Sequence, residues 1–342
     1  MSTGRLLLTG ADGYIGSRLA EYLIQRGFDV TGLDAGFYSA GQLYPLAAPA
    51  IRRRDTREVQ AEDLAGFQTV VHLAGLSNDP LGEFDPQVTR DINYHGTIRL
   101  ALAAREAGVQ QFLYYSSCSV YGAGGETPCA EDTPPRPQTE YARCKVITEK
   151  ALLDVASDGF SPVLLRNATV HGPSPRMRFD LLLNNLTGLA HTRSRIELTS
   201  DGTPMRPLVH VEDLCRATVL LLAAPREVVH RQTFNIGGDA GNHSVLSVAQ
   251  AVARAYPGCS ISLGQPSADK RSYIVSFSKV RERIGFEPEW GLDEAAAELR
   301  AVYERVRLTP EIFEAAPFTR LKQIRLLRET GRLDERLFWQ TA

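Results

Sequence analysis

Leu6-Leu7-Leu8-Thr9-Gly10-Ala11-Asp12-Gly13-Tyr14-Ile15-Gly16 is the stretch that decides the fold. A short apolar run enters a glycine-rich turn. Ile15, Leu19 and Leu23 then recur at four-residue spacing as far as Gly27. That is one buried face of a helix with a glycine just past its end. Strand, glycine turn and helix together open a βαβ unit. In that setting Gly10 permits the tight turn and Gly13 lets the backbone approach a pyrophosphate at the helix N-terminus. Gly16 allows the helix to lie close on the sheet. Tyr14 and Ile15, the residues between Gly13 and Gly16, belong to the same binding turn.

The next strand pattern, Asp29–Leu33, runs into Asp34, 18 residues past Gly16. This is close to the spacing of an acid that holds the ribose diol of an adenosine. A carboxylate there favours NAD, because a 2′-phosphate would meet like charge, and Ala35 and Gly36 offer no arginine for one. Asp55, after three arginines, is a candidate for the adenine edge. Leu73, Ala74 and Gly75 end another strand with residues small enough for close approach of a cofactor.

Further strand patterns at Thr69–Leu73, Gln111–Ser116 and Pro162–Arg166 alternate with helical ones. One helix is expected over residues 87–107, closed by Gly108. The alternation predicts an α/β fold, a Rossmann-type doubly wound parallel sheet. After about Pro173 the strands shorten (Thr233–Ile236, Ser260–Leu263) between helical segments at Val211–Ala223, Val245–Tyr256 and Leu292–Val306. This reads as a smaller α/β substrate-binding lobe. The expected organisation is a dinucleotide domain over 1–172 and a lobe over 173–307, from which the chain can cross back to the main sheet. A helical extension over 308–342 is expected to pack on the lobe.

Composition narrows the function classes. The chain has 342 residues with 38 Lys+Arg against 40 Asp+Glu, so no basic surplus supports a nucleic-acid partner. Five cysteines, an odd number without a C-x-x-C pair, argue against a zinc site or a disulfide framework. No metal is expected. No apolar run is long enough for a membrane span or a signal peptide. The cytoplasm is the expected location.

The chemistry is carried by a strand that ends in Ser116-Ser117-Cys118-Ser119 and a later segment, Tyr141-Ala142-Arg143-Cys144-Lys145. Tyr and Lys four apart share one helix face. A tyrosine used as a base near neutral pH needs its pKa, ordinarily ~10, brought down, and a neighbouring ammonium has the right sign. A strand-end serine can hold a substrate oxygen beside that tyrosine.

With these motifs in place, the chain resembles the extended short-chain dehydrogenase/reductases of the NAD-dependent sugar epimerase/dehydratase family. The likeness runs over Gly10–Gly16, His72–Gly75, Ser116–Gly122, Tyr141–Lys145, 184–186, Asp201–Asp213 and Asp269–Lys279. It covers residues 5 to about 300 and leaves the tail outside. The resemblance implies that Tyr141 is the acid/base. Lys145 would hold the nicotinamide ribose and lower the tyrosine pKa, and Ser117 would polarise the substrate oxygen. Asn93 is carried over as a structural, cofactor-adjacent residue. For the nucleotide sugar the resemblance implies Asn185, Leu186, Arg206, Asp269 and Arg271, with Thr169, Cys118 and Ser119 at the sugar. It also implies a homodimer, built on the helix of Tyr141–Lys145 and the one around Asn93–Ala107.

One departure bears on the reaction. Family dehydratases carry Asp-Glu directly after the catalytic Ser/Thr, whereas this chain has Cys118 and Ser119. That points to 4-epimerisation through a transient 4-keto sugar, with UDP-glucuronate expected ahead of UDP-glucose. The motive for a uronate is the set Arg176, Arg178, Arg193 and Arg195, with Arg193 chosen to pair with the C6 carboxylate. The alternatives are a 4,6- or 5,6-dehydratase, a 4-ketoreductase, and an NAD-sensing binding protein.

Overall fold

Leu6 and Leu8 point into one hydrophobic core and Leu7 into another. This alternation is what a strand does when helices cover both sides of its sheet. The computed structural model describes residues 4–45, 49–266 and 272–340. Among them the main sheet has seven parallel strands: β1 (Leu6–Thr9), β2 (Val30–Asp34), β3 (Ile51–Arg53), β4 (Thr69–His72), β5 (Gln111–Ser117), β6 (Ser161–Asn167) and β7 (Gln232–Ile236). Their spatial order is β7-β6-β5-β4-β1-β2-β3. The chain therefore builds outward from β1 in one direction, then returns and builds from β4 in the other. Between β1 and β4 the connections diverge and leave a crevice at the C-terminal strand ends, where ligands of such sheets bind.

The seventh strand comes from the distal half of the chain and pairs with β6 from Gln232 to Ile236. The remaining distal strands form small sheets, one of them by pairing Tyr273–Val275 with Gly125–Cys129 of the first half. Thr169–His171, Met205–His210 and Asn242–Ser244 make a three-stranded one, and Arg195–Glu197 pairs with Ser260–Ser262. Helix α1 (Tyr14–Gln25) follows β1 and buries Leu19, Ala20 and Leu23, as the spacing predicts.

The helix expected over 87–107 is present: Pro86–Arg90, a wide π-type turn at Asp91–Gly96 and α2 (Thr97–Glu106) follow one another on helical backbone, after a separate short helix at Asp79–Phe84. Asp85 caps the start of Pro86–Arg90 by accepting from Val88 N at 3.1 Å. The wide turn displaces Asn93 inward. There its amide grips Leu76, donating to its carbonyl at 2.9 Å and accepting from its N–H at 2.7 Å. Wide turns of this kind recur at functional sites.

The tail divides in two, which corrects the expectation that it packs on the lobe. Its first part does so: Phe313 and Phe318 pack on Phe179 at centroid distances of 5.0 and 5.5 Å. Beyond Thr319 the chain leaves the lobe. Helix Arg320–Glu329 and the segment after it bury Ile324, Leu327, Leu333 and Leu337 against Phe37, Leu76, Leu81, Val88 and Ile92 of the first half.

Candidate functional site

A cavity of about 670 Å³ opens along the C-terminal strand ends and runs into the lobe. The glycine turn forms its floor. Gly10 has φ +72°, and a Cβ there would sit 2.8 Å from the Ala74 nitrogen, so only glycine lets β1 and the end of β4 meet this closely. A Cβ on Gly16 would run into the Gly10 carbonyl oxygen. Gly10, Gly13, Tyr14, Ile15 and Gly16 line the cavity, as do Asp34, Asp55, Leu73, Ala74 and Gly75. Asp34 accepts from Asp12 N (3.0 Å) and Gly36 N (2.7 Å), and burial pushes its carboxyl upward. The Tyr14 side chain turns away from the turn and donates to the Gly172 carbonyl at 2.7 Å. Asp55 caps the turn at residues 56–58 and pairs with Arg57 at 2.7 Å.

At the other end β5 delivers Ser117, and helix α3 (Glu140–Asp154) delivers Tyr141 and Lys145. Thr139 starts α3: its hydroxyl accepts from Ala142 N and donates to Asp79 at 2.6 Å. Ser117 and Tyr141 line the same cavity. Burial, and next the Asp79 carboxylate, push the Tyr141 phenol up to about 12; Ser117 and Arg178 pull it down. Burial pushes the Lys145 ammonium down to about 8. Its Nζ lies 5.7 Å from the Tyr141 ring centroid and donates to the Tyr115 carbonyl at 2.6 Å. Burial outweighs the positive charge that the chain itself sets around the Tyr141 phenol; Lys145 and a positively charged nicotinamide together have the sign that lowers it.

Two polar atoms at this end stand out. Ser119 Oγ and Asn167 Oδ1 are buried without a hydrogen-bond partner among the described residues, and both residues line the cavity. Buried polar atoms are ordinarily paired, so these suit a hydroxyl-bearing ligand. Thr169, Asn185, Leu186 and Arg206 line the lobe side. The Asn185 amide is held by the Phe179 carbonyl at 2.8 Å.

Three expected residues lie elsewhere. Cys118 is in the hydrophobic core, its Sγ directed at the Arg166 carbonyl (3.1 Å), and burial holds its thiol well above the usual range. It does not line the cavity, because the turn that exposes Ser117 and Ser119 rotates residue 118 inward. Asn93 is also behind the wall and acts on the site only through Leu76. Arg193 is on the surface at the end of α4 (Leu182–Arg193), paired with Glu314 of the tail. Of the other arginines, Arg176 pairs with Asp12 and Arg195 with Glu197, whereas Arg178 does line the cavity, paired with Asp180. Asp269 and Arg271 lie outside the described residues.

Sequence reasoning missed Asp79, Tyr38, Asn167 and Arg320, all on the cavity wall. Asp79 and Asn167 follow strand ends and could have been picked out by that position. Tyr38 and Arg320 carry no local signal. His72, passed over as structural, is a strut: its ring joins the Thr9 (2.6 Å) and Thr97 (2.8 Å) hydroxyls.

The family described as "NAD dependent epimerase/dehydratase family" matches residues 6–237. A dTDP-glucose 4,6-dehydratase of Streptomyces griseus is 29% identical over 321 residues, covering 89% of this chain and 95% of its own. A UDP-glucose 4-epimerase of Corynebacterium glutamicum is 29% identical over 312 residues, covering 83% and 91%. Among solved structures, MoeE5 in complex with UDP-glucuronic acid and NAD superposes with a TM-score of 0.76 at 29% identity, over 88% of this chain and 99% of that one. Its complex with UDP-glucose and NAD gives a TM-score of 0.77 at 30% identity, over 89% and 100%.

Proposed function

The chain belongs to the NAD dependent epimerase/dehydratase family, and on that premise we propose that it is a UDP-hexose 4-epimerase. Its cofactor is NAD, for which the glycine turn and the Asp34 carboxylate are suited: the turn has no room for side chains, and Asp34 offers acceptors to a diol. Bound NAD supplies a reversible hydride acceptor and a positive charge next to Tyr141. The chain's own residues do the rest. Ser117 and Ser119 hold the sugar oxygen. Tyr141 takes the proton of the C4 hydroxyl and later returns it. Lys145 binds the nicotinamide ribose and adds its charge to the field on Tyr141.

The observation that carries this reading is the presence of Ser117 and Tyr141 on one cavity wall, with Ser119 Oγ and Asn167 Oδ1 still to be satisfied. Those partners suit hydroxyls. Of the four arginines that spoke for a uronate, Arg176, Arg193 and Arg195 do not line the cavity, and Arg178, which does, is engaged by Asp180. UDP-glucose therefore moves ahead of UDP-glucuronate. The Asp79 carboxylate beside Tyr141 favours a second reading, a dehydratase, since elimination of water needs a further acid or base.

The test is to incubate the purified protein with UDP- and dTDP-hexoses, without added cofactor, and identify products by NMR. Conversion of UDP-glucose to its C4 epimer is expected. A 4-keto-6-deoxy or 5,6-unsaturated product overturns epimerisation, and turnover of UDP-glucuronate alone overturns the neutral sugar.

A homodimer in the cytoplasm completes the reading. Leu102 on α2 and Ile147 on α3 are about 40% exposed, large apolar residues on the two helices expected to meet their partner copies. Sedimentation is expected to give twice the chain mass; a value of 37.6 kDa at micromolar concentration would contradict the dimer.

A further inference from the structure

The tail brings a guanidinium to the cofactor cavity. Arg320, the first residue of helix α5 (Arg320–Glu329), lines the cavity and is only 4% exposed. Its guanidinium lies over the Tyr38 ring, 3.8 Å from the centroid. Among the described residues its side-chain nitrogens have neither a hydrogen-bond partner nor a carboxylate at ion-pair distance. Asp180 meets only its main-chain N–H, at 3.3 Å. The Asp180 side chain is engaged by Arg178 through two donors, at 2.9 and 3.2 Å, and by Asn78 at 2.8 Å. One carboxylate thus stands among two guanidiniums, and a buried charge without a paired anion is costly. The Arg320 guanidinium, which no carboxylate reaches at ion-pair distance among the described residues, is left to meet a ligand's anion.

The position selects the anion. Arg320 stacks on Tyr38, four positions past Asp34, and the tail that carries it bonds the carbonyls of Ala35 and Phe37. Arg320 therefore stands at the adenosine end of the cavity. The anionic part of a dinucleotide is the diphosphate that joins the adenosine ribose to the nicotinamide half. The sugar nucleotide's own diphosphate is assigned to the lobe side, with Asn185 and Arg206.

The same tail holds the loop over the adenosine end. Trp339 Nε1 donates to the Ala35 carbonyl at 2.6 Å, and Gln323 Nε2 to the Phe37 carbonyl at 3.0 Å. The Trp339 ring lies 6.1 Å from that of Phe37. We propose that Arg320 binds the diphosphate of NAD, and that the tail carrying it is a clasp that retains the dinucleotide. The proposal rests on the reading of the site given above. It suits an epimerase, which must keep its reduced cofactor between the two halves of a turnover.

The experiment measures NAD binding by titration calorimetry on protein stripped of nucleotide, for the wild type, Arg320→Gln and Arg320→Lys. UDP binding and the ligand-free Tm are measured in parallel. A guanidinium hydrogen-bonded to an anion predicts NAD binding weaker by roughly 10–100-fold in Arg320→Gln. Part of the loss is recovered in Arg320→Lys, which keeps the charge. UDP binding stays unchanged. The ligand-free Tm holds or rises, because removing Arg320 relieves its repulsion with Arg178. Unchanged NAD affinity overturns the proposal, as does a loss confined to UDP. A fall in ligand-free Tm with equal loss of both ligands makes Arg320 structural and overturns it too. A wild type that takes up no dinucleotide overturns the reading of the site itself, which is a separate failure.

Discussion

Tyr141→Phe is expected to lower kcat by roughly 10²–10⁴-fold, the range that a positioned acid/base contributes. NAD is expected to stay bound. The substitution removes one oxygen. It leaves the glycine turn, Asp34 and Lys145 in place, and the phenyl ring still fills the space above Gly82, whose built Cβ would lie 3.1 Å from that of Tyr141. The affected step is proton transfer alone, so KM for the sugar nucleotide should move far less than kcat. Steady-state kinetics with an assay of NAD content checks both halves. Activity close to wild type would show that another group, with Asp79 the nearest candidate in character, takes the proton.

Glu149→Ala is expected to destabilise the fold by about 3–5 kcal/mol, the cost of leaving one partner of a buried ion pair uncompensated. Glu149 and Arg166 are both buried, and three N–H···O contacts of 2.7–3.1 Å join them. The Ser116 hydroxyl donates to the same carboxylate. Arg166 continues to the Tyr121 hydroxyl at 2.9 Å, which donates to Asn235 on β7 at 2.7 Å. This network ties the end of β5, next to the reactive serine, to two neighbouring strands. Urea denaturation measures the loss. Glu149 also favours the charged form of Lys145, so the folded variant should lose activity at lower pH than the wild type does. A midpoint unchanged in urea would mean that Arg166 is not left uncompensated without Glu149, and would overturn this expectation.

The sheet was legible because its signals are local. The run at Leu6–Leu8, the glycines at 10, 13 and 16, and the acid at 34 each state a backbone requirement within a few residues. The same holds for Tyr141 and Lys145, which share a helix face by spacing alone. The positions misread depend on tertiary placement. Cys118 and Ser119 are adjacent in sequence, yet the tight turn after β5 sends one inward and the other to the cavity. Arg193 and Arg178 look alike as residues; only the course of α4 and the tail sets one on the surface with Glu314 and the other at the wall with Asp180. The wide turn inside the 87–107 helix goes with a contact that spacing does not reveal, between Asn93 and the backbone of Leu76, seventeen positions earlier. Arg320 lies at the far end of that scale, 286 residues after the Asp34 whose end of the cavity it shares.

The docking of the tail on the first half has a consequence for synthesis on the ribosome. Phe37, Leu76, Leu81, Val88 and Ile92 emerge early, while Ile324, Leu327, Leu333 and Leu337, which cover them, emerge last. At ordinary translation rates the nascent chain carries that apolar patch uncovered for roughly 10–50 s. A release from the ribosome before residue 320 would leave the patch open permanently. Premature termination in this gene therefore yields a sticky product even when the whole parallel sheet has formed, and quality control has a surface by which to recognise it.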